Sequence, residues 1–191
     1  MKQVGKGAEA IVFKRKRGLV KKRLRKAYRH AQLDERLRSE RTRKETRILS
    51  RANASSVSTP KLLESNEKRK EIVFSEIKGR QAKVAKLSPG ILKKIGFQLA
   101  LLHNAGISHG DFTTSNVMIS KGKAFLIDFG FGEFTTSVEQ FATDLVLFQK
   151  TVSAEQFGWF LKGYSSKADN ACAVVERMHA INQRGRYVER G

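Results

Sequence analysis

Eight residues, His109-Gly110-Asp111-Phe112-Thr113-Thr114-Ser115-Asn116, followed twelve positions after the asparagine by Asp128-Phe129-Gly130, constrain this chain more than any other feature. An apolar segment, Ala124 to Ile127, leads into the second group and reads as a strand. Two short turns therefore deliver two carboxylates and an amide, and the fold has to bring those turns together. Magnesium and similar hard cations take oxygen ligands, favour one or two carboxylates plus phosphate oxygens, and keep several waters. Asp128 and Asn116 supply the protein oxygens for such a cation, which leaves Asp111 as a base. Either half alone could be a turn whose Asp or Asn bonds its own backbone. That reading does not account for both halves in order with a strand between them.

The spacing resembles the H-x-D-x-x-x-x-N and D-F-G segments of protein-kinase-like phosphotransferases, with Gly110 where most protein kinases carry Arg. The N-terminal half then reads in the same terms. Lys2 to Lys6, Ala10 to Lys16 and Gly18 to Arg23 alternate like an antiparallel meander, and Gly5, Gly7 and Ala8 sit at its first turn. Small residues there let backbone N–H groups approach phosphate oxygens. Gly5-Lys6-Gly7-Ala8-Glu9-Ala10 is only part of a G-x-G-x-x-G loop, so by itself it is equally an ordinary hairpin turn.

Lys21, in Leu19-Val20-Lys21, is the candidate for the α- and β-phosphates, with Lys22 as the residue a one-position register error would substitute. A charged helix is expected from Leu33 to about Ala52, with Leu37, Arg41, Glu45 and Ile48 on one face. An inward Glu45 needs a cation, and Lys21 is the natural one; the alternative is a local pair with Arg41 or Arg38 on an exposed face.

After a Ser/Thr-rich loop, Pro60 opens a short strand, and Lys70 to Ile77 is read as another that leads to a hinge. The backbone near Glu76 and Ile77 is the candidate adenine contact, and Gly79 to Leu87 is the crossing. Ser88-Pro89-Gly90 starts a helix and Gly106 stops it, with Ile91, Ile95, Leu99 and Leu102 as its buried stripe. His103 is read as structural near the C-terminal end of that helix, where a cation suits the dipole, and His109 as a prop for the loop. Further helices are expected over Thr136 to Val152, from the capping box Ser153 to Gln156 with Trp159 as core, and over Ala168 to Gln183. Arg184 and Arg186 lie in a basic tail and are candidate contacts to RNA or a partner.

The charge is +20, and it is uneven: residues 1–50 carry 18 Lys and Arg against 5 Asp and Glu, whereas residues 101–150 carry 3 against 5. Such a surface attracts polyanions through release of their counterions, and RNA is the expected one. One cysteine, Cys172, excludes an intrachain disulfide and a cysteine-based zinc cluster; its helical setting reads as a buried, inert thiol. No apolar run reaches 18 residues and no signal peptide opens the chain, so a soluble, cytoplasmic protein with no membrane association is expected.

Only 61 residues follow Gly130, and they contain no A-P-E segment, so a regulated activation loop and a large peptide platform are not expected. Here the chain closely resembles the small atypical Ser/Thr kinase of the KEOPS/EKC complex, the PRPK or bud-site-selection kinase family. The resemblance rests on Gly7-Ala8-Glu9-Ala10, Val20-Lys21-Lys22-Arg23, Lys26-Ala27-Tyr28-Arg29-His30, and Leu33-Asp34 through Arg41-Thr42 to Glu45. It continues in the Thr-Thr-Ser-Asn filling of the loop, Asp128-Phe129-Gly130, Asp144-Leu145 and Arg184-Gly185-Arg186. Ala31 stands where that family usually has Pro, Phe112 where Leu is commoner, and the tail beyond Arg186 is less basic.

The resemblance implies an α+β, minimal bilobal kinase-like fold in one domain over 1–191. Its β-rich N-lobe with one main helix would cover about 1–78, its truncated helical C-lobe about 79–183, and its tail 184–191. It implies ATP and Mg2+ as cofactors, with Lys21, Glu45 and Asp111 catalytic, Gly5, Gly7, Ala8, Lys21, Glu76 and Ile77 at ATP, and Asn116 and Asp128 at the metal. It also implies phosphotransfer to Ser/Thr or ATP hydrolysis in support of threonylcarbamoyladenosine formation at position 37 of tRNA, with a telomere-linked role and a nuclear pool in eukaryotes. The implied partners are the threonylcarbamoyltransferase catalytic subunit on the C-lobe side, a small regulatory subunit on the N-lobe side, and tRNA. Two other readings stay open: a small-molecule kinase of the aminoglycoside or choline type, which needs a larger C-lobe, and a non-catalytic RNA-binding scaffold, which leaves the five site residues unexplained.

Overall fold

The computed structural model describes residues 2–7 and 9–188, without the side chains of Lys6 and 185–188. Strands β1 (Lys2–Lys6), β2 (Ala10–Arg15) and β3 (Gly18–Arg23) form the expected antiparallel meander, with Val12 opposite Lys21 and Lys14 opposite Leu19. Side chains leave a strand on alternate faces, so Leu19, Lys21 and Arg23 share one face while buried Val20 points to the other.

Helix α1 (Ala31–Ala54) presents Glu45, Ile48, Leu49 and Ala52 inward at helical spacing. The expected face is right at Glu45 and Ile48 and wrong at Arg41, which stays half-buried and turns to Glu9 at 2.5 Å. Two turns before Arg41, Asp34 is fully buried, accepting from Arg38 Nε at 2.7 Å and Lys26 N–H at 3.1 Å. Strands β4 (Leu62–Asn66) and β5 (Glu71–Phe74) complete a five-stranded antiparallel sheet in the order β1-β2-β3-β5-β4. β4 begins two residues after Pro60. β5 ends at Phe74, short of the expected Ile77, although Ser75 N–H still donates to the Lys61 carbonyl, one pair beyond Leu62 and Phe74.

The chain crosses to its helical half through β6 (Arg80–Gln81) and a 3-10 turn at Ala82–Val84. Helix α2 (Pro89–Asn104) starts as expected, Ser88 accepting from Ile91 N–H, and ends where Gly106 N–H donates to His103 O. Its stripe runs through Leu92, Ile95, Leu99 and Leu102, with Ile91 only half-buried. Short β7 (Ile107–Ser108), the hairpin of β8 (Val117–Ser120) and β9 (Lys123–Leu126), and β10 (Glu133–Phe134) follow. β7 pairs with β10, and β6 with β8.

Helices α3 (Val138–Gln149), α4 (Ala154–Ser165) and α5 (Ala171–Val188) close the chain, with the capping box of Ser153 and Gln156 formed at the start of α4. Phe112, Phe148 and Phe160 are fully buried and stacked, centroids 5.2 and 4.4 Å apart along the series. Truncating a buried ring of this kind to Ala costs about 3–5 kcal/mol, so Phe112 anchors the loop that contains Asp111.

Three expectations on this half are corrected. Cys172 is exposed, its Sγ 3.4 Å from Glu176 Oε1, because its side of α5 carries no core contact. Trp159 is half-buried rather than core, lying under the ammonium groups of Lys162 and Lys93 at 4.2 and 5.0 Å. The last helix passes its expected end at Gln183: α5 runs on to Val188 and includes Arg184. No helix among the described residues is long and apolar enough to cross a membrane.

Candidate active site

Strand β3 and helix α1 meet at charged side chains. Lys21 Nζ donates to Glu45 Oε1 at 2.6 Å and to Asp128 Oδ1 at 2.7 Å. The local alternative for Glu45 is not taken up, since Arg38 serves Asp34 and Arg41 serves Glu9. Burial pushes the Lys21 ammonium down, but the charges and hydrogen bonds of Glu45 and Asp128 outweigh it and hold Lys21 above the ordinary lysine value. For Asp128, burial raises the pKa, while Lys21 and the Gly130 N–H lower it further, so the group sits below the usual aspartate value. At neutral pH the pair is therefore an ammonium and a carboxylate.

Arg23, two residues along the same face of β3, was not singled out from the sequence. Its Nη2 donates to Glu45 Oε2 at 2.5 Å, so one carboxylate is shared by two nearly buried cations. A Cβ on Gly130 would lie 3.8 Å from Arg23 Nη2 and 3.7 Å from Lys21 Nζ, so the turn after Asp128 rests on both. The signal in the sequence was the i, i+2 spacing of Lys21 and Arg23 on a strand with apolar Leu19 and Val20.

The loop from His109 to Asn116 is held from behind by Asp144 of α3. Asp144 is fully buried and accepts from His109 N–H at 2.6 Å, Gly110 N–H at 2.8 Å and His103 Nε2 at 3.1 Å. Burial lowers the His103 pKa, the largest influence on it, against the pull of Asp144. A neutral ring then donates through Nε2–H and accepts at Nδ1 from the Tyr164 hydroxyl at 2.8 Å. His103 is structural, as expected, but not as a cation on a helix dipole. The sequence signal for Asp144 was a lone carboxylate on the apolar face of α3 between Phe141 and Leu145.

His109 is fully buried and donates from Nε2 to Ile127 O at 3.1 Å, which ties the loop to the strand leading into Asp128. Gly110 has φ +76°, and a Cβ there would fall 2.3 Å from Phe131 O. Glycine in place of the usual Arg is thus required by close backbone approach to the segment after Asp128.

The Asn116 amide N–H donates to Asp111 O at 2.7 Å and to Asp111 Oδ2 at 2.8 Å. Asn116 O accepts from Ile127 N–H at 3.0 Å, which sets Asn116 beside Asp128. Its amide nitrogen is taken up with Asp111, so its oxygen is the atom free to face a cation. Asp128, at φ +62°, keeps half its side chain exposed. Among the described residues no three His, Cys, Asp or Glu side chains converge on one point. One carboxylate plus one amide oxygen suits a cation whose other ligands are phosphate oxygens and water, as Mg2+ prefers.

Above Lys21 and Asp128 lies a cavity of about 350 Å³, within the size range of small-molecule sites. Apolar Val12, Leu19, Ile72 and Met118 form its walls, and Gly5, Glu76 and Ile77 lie on its rim. Asp111 and Asn116 are not among its lining residues and adjoin it through Asp128. Glu76 pairs with Lys14 at 2.9 Å. Gly7 does not line the cavity; its N–H closes the turn by donating to Ala10 O at 2.9 Å. Ala8 and the side chain of Arg186 lie outside the described residues, and Arg184 is exposed on α5.

A sequence profile described as the RIO domain matches residues 7–136. The KEOPS complex subunit Bud32 of Pyrococcus abyssi is 35% identical over an alignment that takes in 100% of this chain and 98% of that one. A probable bifunctional tRNA threonylcarbamoyladenosine biosynthesis protein of Natronomonas pharaonis is 40% identical over 95% of this chain but 35% of its own length, so the chain spans about a third of relatives of that kind. Among solved structures, the Rio2 kinase from Chaetomium thermophilum superposes with a TM-score of 0.64 at 13% identity, over 96% of this chain and 71% of that one. Its complex with ADP/Mg2+ and phosphoaspartate gives 0.60 at 15% identity, over 96% and 70%. At those identities the likeness is one of fold, and it is the α+β kinase-like fold expected from the sequence.

Proposed function

Because the chain belongs to the RIO-domain family and, within it, to the family of the Bud32 subunit of the KEOPS complex, we propose that it is an atypical, Mg-ATP-dependent kinase or ATPase that supports threonylcarbamoyladenosine formation in tRNA. The observation that carries the chemistry is the alignment of Glu45, Lys21 and Asp128 on the floor of the cavity, at 2.6 and 2.7 Å.

In this reading Lys21, steadied by Glu45 and Arg23, orients the α- and β-phosphates, and its retained positive charge offsets theirs. Asp128 and the Asn116 oxygen hold Mg2+, which when bound neutralises phosphate charge. Asp111, fixed by the Asn116 amide, orients or deprotonates the attacking hydroxyl, of water or of a Ser or Thr side chain. Gly5 and the backbone at Glu76 and Ile77 border the nucleotide. Most of the rate enhancement then comes from positioning and charge neutralisation rather than covalent chemistry.

The relatives named bifunctional carry roughly twice as much additional chain as the part that matches here. We therefore assign this chain a partner that supplies the second activity, the threonylcarbamoyltransferase catalytic subunit against the helical half. A small regulatory subunit against the sheet and tRNA within the assembly complete the proposal. The test is Asp128→Ala, measured for Mg-ATP hydrolysis alone and with transferase subunit and tRNA. Turnover should vanish while the thermal melt stays cooperative, since Lys21 keeps Glu45. Undiminished hydrolysis in that variant would sink the assignment.

A further inference from the structure

Between β1 and β2 the chain turns through Gly7 and Glu9, next to the cavity rim that Gly5 forms. Packing does little to hold that turn. β1 is the edge strand of the sheet and pairs only with β2 among the described residues. A Cβ built on Gly5 or Gly7 would meet nothing nearer than 3.7 Å, so no close backbone contact fixes either residue. The anchor is Glu9. Its carbonyl accepts from Leu24 N–H at 3.3 Å, and its carboxylate accepts from Arg29 Nη2 at 3.3 Å and Arg41 Nη1 at 2.5 Å. Burial raises the pKa of Glu9, but the two arginines outweigh it and keep the group below the ordinary glutamate value. At neutral pH it is therefore a carboxylate.

Arg41 belongs to α1 and lies one turn before Glu45, which holds Lys21. That helix is attached to the rest of the molecule in two different ways. Near its C-terminal end Ile48, Leu49 and Ala52 enter the apolar core. Before them its buried side chains are Asp34, Thr42 and Glu45, all polar. Charge holds this front part: Glu35 lies 2.6 Å from Lys70, Arg41 2.5 Å from Glu9, and Glu45 2.6 and 2.5 Å from Lys21 and Arg23. Residues four apart on a helix are neighbours on one side of it. One turn of α1 thus grips both the lysine strand and the turn at the cavity rim.

We propose that Glu9, clamped by Arg41 and Arg29, is a positioning residue for the phosphates of the nucleotide. It ties the β1–β2 turn to α1, so that the turn and Lys21 meet the phosphates as one unit. The inference rests on the ATP reading above. Charge alone makes the opposite prediction at one point. Removing the Glu9 carboxylate leaves two unpaired arginines near the turn, which would strengthen phosphate binding by attraction, whereas loss of a tether weakens it.

The experiment uses the full-length chain and measures, by calorimetry, binding of Mg2+ with the non-hydrolysable imido analogue of ATP, and of adenosine, which has no phosphate. Glu9→Ala and Arg41→Ala should each weaken analogue binding about 3- to 10-fold, between the effect of an exposed ion pair and that of a charge-assisted hydrogen bond, and leave adenosine within about twofold of wild type. The double variant should lose no more than the worse of the two, because both act through one contact. Arg41→Lys, which keeps the charge, should recover part of the loss. Arg43→Ala is the control: it removes the same helix's 2.9 Å pair with Glu67, neither of which lines the cavity, and should leave both probes unchanged. Tighter analogue binding by Glu9→Ala would overturn the proposal in favour of net charge, and losses that add in the double variant would show that Glu9 and Arg41 act separately. Equal weakening of adenosine and analogue would overturn it in favour of a general loosening of the sheet. A wild type that binds neither probe would sink the ATP reading and the tether with it, whereas wild-type binding that neither substitution alters would sink the tether alone.

Discussion

Asp144→Asn is the sharpest probe of how the catalytic loop is held. The native carboxylate offers one oxygen to His109 N–H at 2.6 Å and the other to Gly110 N–H at 2.8 Å. An asparagine has one acceptor oxygen, so one of the two N–H groups must face an NH2 group instead. A buried donor left unmade costs about 1–3 kcal/mol, and the surviving bond falls from charge-assisted strength, about 1.5–3 kcal/mol, to about 1. Together these give about 2–5 kcal/mol, with His103 Nε2–H adding to the upper end if it too loses its acceptor. At about 2–4 °C per kcal/mol for a chain of this size, the melting temperature should fall by roughly 4–20 °C. Asp111 directly follows the displaced peptide, and small misplacements of reacting groups cost up to about 100-fold, so Mg-ATP turnover should drop at least about 10-fold at temperatures where the variant is folded. Differential scanning calorimetry and a hydrolysis assay read both. A melting temperature within about 1 °C of wild type, or full turnover, would show that the two short hydrogen bonds do not support the loop.

Arg23→Met leaves Glu45 to Lys21 alone; losing a charge-assisted bond of about 1.5–3 kcal/mol should lower kcat/KM for Mg-ATP by about 10- to 100-fold, with Arg23→Lys recovering part of it, and a value within twofold of wild type would remove Arg23 from the site. His103, held below its ordinary value of 6.5 by burial, is neutral in the fold but binds a proton in the unfolded chain as pH drops through about 6.5. Its contribution to stability should therefore be complete above that pH and decline below it, by at most about 1.4 kcal/mol per pH unit. Denaturant titrations of wild type and His103→Gln between neutral and mildly acid pH should differ in slope, and parallel curves would contradict a neutral His103 against Asp144 and Tyr164.

The local elements were largely legible because their signals are local. The meander of β1 to β3 follows from alternation, the start of α2 from Ser88 and Pro89, and the start of α4 from Ser153 and Gln156. The errors fall where a distant group decides. Arg41 turns to Glu9, a neighbour only in space, and Cys172 is exposed because α5 packs through Val174 and Met178 instead.

The same division runs through the site. The sequence by itself carried the residue types and their spacing: one lysine, three carboxylates and an amide, in an order that resembles protein-kinase-like phosphotransferases. Side-chain type and spacing are properties of the chain and survive without a fold. Only the tertiary structure decided which charges neutralise which. It placed Arg23 on Glu45, Asp144 behind His109 and Gly110, and the Phe131 carbonyl where any Cβ on residue 110 would collide. It also set Arg15 and Lys22 against Glu71 and Arg43 against Glu67. Electrostatic interactions and steric exclusion depend on separations of a few ångströms between residues tens of positions apart, and those separations exist only once the chain is packed.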